Sequence, residues 1–77
     1  MISKTTNISA SIITIGDEIL IGQTVDTNSA WIAAQLSLIG IPINEIISIS
    51  DQKEKIVEAL DRELANHQLI IITGGLG

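Results

Sequence analysis

The chain has 77 residues, 45% of them hydrophobic, with no cysteine, a formal charge of −5 and a single aromatic residue, Trp31. That is one small domain with an aliphatic core and no disulfide or thiolate metal site to supplement it. Four Lys and Arg that never cluster argue against nucleic acid or an anionic membrane surface as partner.

The opening "MISKTTNISA" is polar and lacks an apolar h-region, so residues 1–10 are expected to be a disordered lead-in rather than a signal peptide. No stretch approaches 18 consecutive apolar residues, and a cytoplasmic location is the default expectation. "SIITI" (11–15) then reads as a first strand, ended by Gly16. "DTNSAWIAAQLSLIG" reads as a helix capped by Asp26, Thr27 or Asn28 and stopped by Gly40 and Pro42. Ile32, Ala33, Leu36 and Ile39 share one face of it, while Trp31 and Leu38 form a second apolar ridge with no obvious partner in the chain.

"INEIISIS" (43–50) reads as a second strand and "LIIIT" (69–73) as a third. Between them, "DQKEKIVEALDRELANH" reads as a helix. Its expected features are a capping box from Asp51 to Glu54, a buried stripe of Ile56, Val57, Leu60 and Leu64, a Glu58–Arg62 pair, and a left-handed stop at Asn66. The charged residues are expected to face solvent, and His67, just past the helix, to be a surface residue. The order β-α-β-α-β calls for an α/β fold with three layers, α/β/α, around a parallel sheet. Strands apolar on both faces, two of them edges, suggest a truncated domain that needs its missing half or another copy.

Two loops stand where open α/β sheets bind ligands. The first is Gly16-Asp17-Glu18; the other is Thr73-Gly74-Gly75-Leu76-Gly77. If the first and third strands are neighbours, both line one crevice. Gly74, Gly75 and Gly77 can form an anion-binding nest or simply a strand-to-helix turn. Asp17 and Glu18 can hold a ribose hydroxyl, a divalent cation or a general-base water, or can cap the next turn. Asp26, Thr27 and Asn28 suit a phosphate or a helix cap equally.

Together, "IITIGDEILIGQTVDTNSAWIAAQLSLIGI" and "IIITGGLG" resemble the N-terminal domain of the CinA family, competence/damage-inducible protein A. That domain belongs to the molybdopterin-binding superfamily of MoaB and MogA type. The resemblance covers residues 12–77. It implies a molybdopterin-binding-like fold and a metal-dependent pyrophosphatase activity on ADP-ribose-like nucleotides, with a divalent metal ion in the complete domain. The phosphate- or substrate-binding positions it carries over are Gly16, Asp17, Glu18, Asp26, Thr27, Asn28, Thr73, Gly74, Gly75 and Gly77, with Asp51 at a family turn. In the family the glycine loop runs on into an acidic segment, so the catalytic acids are expected beyond Gly77 and no metal ligand is assigned within the chain. The alternative is a module that binds a pterin phosphate without hydrolysing a nucleotide. In either case the expected partner is a small phosphorylated molecule.

Overall fold

The computed structural model describes residues 8–74. Residues 1–7, with most of the expected lead-in, and Gly75, Leu76 and Gly77 lie outside the described residues. The elements are β1 (Ala10–Ile15), α1 (Asp17–Leu20), α2 (Thr27–Leu38), β2 (Ile43–Ile49), α3 (Lys53–Asn66) and β3 (Leu69–Gly74). The expected strands and both long helices are present, with ends shifted by a residue or two. Ala10, assigned to the lead-in, instead opens β1, where the register with β2 shifts and its backbone N–H donates to Asn44 Oδ1 at 3.0 Å.

The sheet is parallel, in the order β2-β1-β3. The chain leaves β1 for β2 on one side, then crosses back over β1 to reach β3. Two right-handed crossovers in opposite directions place α2 and α3 on opposite faces, giving the three layers. β1 is buried along its whole length because it has a strand on each side and helix-bearing faces above and below. This is why "ASIITI" can be apolar in continuous runs rather than alternating.

Register determines which side chains share a face. Ser11, Ile13 and Ile15 of β1 align with Glu45, Ile47 and Ile49 of β2 and with Ile70, Ile72 and Gly74 of β3. α3 lies across this face and touches all three strands. Ile13, Ile15 and Ala59 form the core there, with Ile47, Ile49, Ile56, Leu60 and Ile70 packed around them. On the other face, α2 rests mainly on β2. Ile32, Ala33 and Leu36 are half-buried, whereas Ile39, expected on the same face, is exposed. Trp31 and Leu38 are exposed too, as the second ridge predicted.

α3 departs from its expected details. Gln52, not Asp51, is its N-cap, and no side chain caps it, so the Asp51–Glu54 box does not form. Val57 and Leu64 are exposed and Ala59 and Glu63 take the inward positions, a rotation of the expected stripe. Arg62 pairs with Glu63 at 3.1 Å rather than with Glu58. Asn66 stays helical and the chain leaves through His67 in an extended conformation, because a strand follows directly. No helix of the described residues is long and apolar enough to cross a membrane.

Candidate functional site

β1 lies between β2 and β3, so the loop after β1 and the end of β3 are neighbours, with Ile15 paired to Gly74. This is the arrangement on which one shared crevice depended. The carboxyl ends of parallel strands are the usual ligand position in an open α/β sheet.

The loop after β1 turns at once into α1. Gly16 is buried and donates its N–H to Ile49 O at 3.1 Å, which ties the start of the turn to the end of β2. Glu18 folds back over Gly16, such that a methyl group added at Gly16 would lie 2.5 Å from Glu18 Oε1. The Glu18 carbonyl accepts from Gln23 N at 2.8 Å and Thr24 N at 3.1 Å, which closes the loop on itself. Asp17 is exposed, yet its Oδ1 accepts from Ser50 Oγ at 2.7 Å, and Ser50 Oγ accepts in turn from Gln52 Nε2 at 3.0 Å. Ser50, rather than the expected Asp51, is therefore the β2-end residue tied to this site. No motif flagged it; only the β1–β2 pairing brings it to Asp17.

A carboxylate lying over Gly16 repels a phosphate there and attracts a hydroxyl or a cation.

At the β3 end, Thr73 aligns with Thr14, which aligns with Ser48 on the other side. Thr14 Oγ1 and Ser48 Oγ share a hydrogen bond of 2.7 Å, so a row of three hydroxyls crosses the sheet one residue below its edge. Gly74 has φ +94, and a Cβ there would collide with the Ile15 carbonyl. Glycine at this position is required by the backbone and by close strand packing, independently of any ligand. Gly75 and Gly77, the remaining nest positions, lie outside the described residues.

Asp26 serves as the N-cap of α2, its Oδ1 accepting from Ser29 N at 3.0 Å. Of the two uses open to Asp26, the cap is the one formed. Thr27 and Asn28 are exposed in the first turn beside it. Among the described residues, Asp17, Glu18 and Asp26 do not converge with a third metal-ligating group. Asp17 is engaged by Ser50 and Asp26 by α2, so these residues do not make a cation cage by themselves.

His67 is the largest departure from expectation. It is mostly buried, with Nδ1 2.6 Å from Ser9 Oγ and Nε2 3.5 Å from both Glu45 Oε1 and Glu63 Oε1. This cluster lies at the opposite end of the strands, roughly 15 Å away at about 3.3 Å per residue. The only signal in the chain was Glu63 and His67 four apart; Glu45 and Ser9 join them through the sheet.

A family model described as "Probable molybdopterin binding domain" (MoCF_biosynth) matches residues 11–77. A CinA-like protein of Flavobacterium psychrophilum is 52% identical over 68 residues, which are 88% of this chain and 16% of that protein. One from Cytophaga hutchinsonii is 49% identical over 72 residues, 94% of this chain and 17% of that protein. The chain thus spans about one sixth of the length of these relatives. The crystal structure of CinA from Thermoplasma acidophilum, described as of unknown function, superposes with a TM-score of 0.85 at 37% identity. That match covers 94% of this chain and 43% of the other. With the paired loops, the β2-β1-β3 order and a family match over nearly its whole length, the chain belongs to the molybdopterin-binding domain family, MoCF_biosynth.

Proposed function

We propose that this chain supplies the ligand-binding edge of a CinA-like pyrophosphatase acting on ADP-ribose-like nucleotides. The observation that supports the reading most directly is the Ile15–Gly74 pairing, which puts the Asp17–Glu18 turn beside the end of β3. A dinucleotide-like ligand has ribose hydroxyls next to a pyrophosphate, and these loops offer carboxylates next to glycine backbone. Asp17 and Glu18 accept from sugar hydroxyls, while amides of the Gly74–Gly77 loop donate to phosphate oxygens. The chain's own residues orient the ligand; no metal-dependent step is assigned to them, since the described carboxylates at this edge do not form a cation site.

The second reading, a pterin-phosphate module, uses the same glycine loop and is favoured by the family description. Calorimetric titration of ADP-ribose and of a pterin phosphate into the chain separates them, followed by turnover assays with magnesium on a full-length CinA-like relative. ADP-ribose binding with turnover in the relative supports the first reading. Pterin-phosphate binding with no ADP-ribose turnover overturns it. Gly75→Val should weaken binding while leaving the thermal midpoint nearly unchanged, because its expected role is approach to a ligand. A variant that loses stability but binds normally once folded would make the loop a turn only.

The exposed Trp31, Leu38, Val57 and Leu64 support association with further protein surface, through a second copy or the rest of a larger domain. Light scattering during size exclusion, with Trp31 fluorescence as the burial probe, tests this. A compact monomer at micromolar concentration would refute it.

A further inference from the structure

The polar cluster at the N-terminal edge of the sheet is unusual for where it sits. Glu63 is 1% exposed on the inner face of α3, and its Oε1 has no hydrogen-bond partner. The hydroxyl of Ser11, 0% exposed on the facing strand, lies beside Glu63 and forms no hydrogen bond of ordinary geometry. A buried carboxylate oxygen without a partner is costly, so Glu63 Oε1 calls for one.

The hydrogen bonds around His67 indicate what that partner is. Ser9 Oγ lies 3.3 Å from Asn44 Oδ1 and 2.6 Å from His67 Nδ1; when Ser9 donates to Asn44, it accepts from His67 Nδ1–H. In that tautomer Nδ1 carries the proton, and Nε2 faces two carboxylates at 3.5 Å each. A bare Nε2 lone pair directed at two carboxylate oxygens is repulsive. A positive charge between them removes the conflict.

We propose that Glu45 Oε1, Glu63 Oε1 and His67 Nε2 bind a divalent metal of the zinc class. The three donor atoms lie within 4.8 Å of one another. Tetrahedral ligands about 2.0–2.1 Å from zinc stand about 3.4 Å apart, close to the two 3.5 Å separations found here. Ser9 then holds the imidazole in the right tautomer, the usual outer partner of a metal-bound histidine. Glu45, with its side chain 45% exposed, supplies both the adjustable third ligand and the path of entry. α3 ends here with its partial negative charge and has no basic residue in its last turn, which further favours a cation. Arg62 binds the other oxygen of Glu63, Oε2, and leaves Oε1 free. The inference does not rest on the proposed function, whose residues occupy the other end of the strands.

The test is cobalt(II), then zinc(II), titrated into the chelator-treated full chain. Visible absorption of a low-coordinate cobalt site and the His67 imidazole resonances are the readouts. The expected result is saturation at one equivalent, displacement of cobalt by zinc, and a rise in thermal midpoint with metal concentration. His67→Gln should abolish the cobalt bands. Glu45→Gln, at an exposed side chain that leaves the core intact, should weaken affinity at least tenfold. Ser9→Ala should weaken it about 10–100-fold by freeing the imidazole, while Asp51→Asn should leave it unchanged. Equal binding by His67→Gln and the parent chain, or binding without a shift in the His67 resonances, overturns the proposal. So does an imidazole that titrates normally in millimolar metal, which would make a proton the missing charge.

Discussion

The two ends of the sheet handle polar groups in opposite ways. At the C-terminal edge, Asp17, Glu18 and Gly74 are exposed, on a turn and a strand end that solvent or a ligand can reach. At the N-terminal edge, Ser11 and Glu63 are fully buried and His67 nearly so, between α3 and the strands. An exposed carboxylate costs nothing and says little without a motif around it. A buried one must be compensated, so its surroundings disclose its role. Burial also changes the titration of Glu63: desolvation pushes its carboxyl up, but the neighbouring Ser11, Glu45 and Arg62 groups and the Arg62 charge outweigh this and hold it below its ordinary value of 4.5.

The sharpest way to break the comparison is at Gly74, which has an exposed position but a structural requirement. Gly74→Val should cost about 2–5 kcal/mol, from strained positive φ together with overpacking against the Ile15 carbonyl. Urea unfolding checks it, and a neutral result would return Gly74 to a role in ligand approach alone.

Next in size is Glu63→Gln, expected to cost about 1–3 kcal/mol at neutral pH as Arg62 and His67 lose a charged partner. Because the folded state lowers this group's pKa, the folded chain binds the Glu63 proton more weakly than the unfolded chain does. Its contribution is complete above pH 4.5 and is lost as pH falls from there through the lowered folded value. The stability gap between the parent chain and the variant should therefore narrow on acidification. A gap that stays constant would show that Glu63 acts by shape rather than charge.

Asp26→Ala should cost about 1 kcal/mol, the worth of an ordinary N-cap. If thermal melts show that loss and ligand binding is unchanged, Asp26 is a cap and nothing more. The smallest effect is expected at Asp51 and Glu54. Replacing either with Ala should stay within about 0.5 kcal/mol, since both are exposed and neither caps α3.

Much of this molecule was legible in its residues alone. Ile-rich runs, continuous in β3 and mostly alternating in β2, marked the strands, and 3.6-residue spacing marked α2 and α3, because local periodicity decides local conformation. The "GDEILIG" and "TGGLG" motifs carried the family resemblance, because each is written in contiguous residues. The rotation of α3 was not legible. Its charged and apolar residues allow two inward stripes, and the three strands beneath selected the one carrying Ala59 and Glu63. Ser50 reached Asp17, and Ser9 and Glu45 reached His67, only because β1 lies between β2 and β3. Sequence by itself determined the elements and the family motifs, both products of short-range chemistry. Tertiary structure alone decided which polar side chains are deprived of water and must therefore find one another, because burial is a property of the packed layers and not of any single segment.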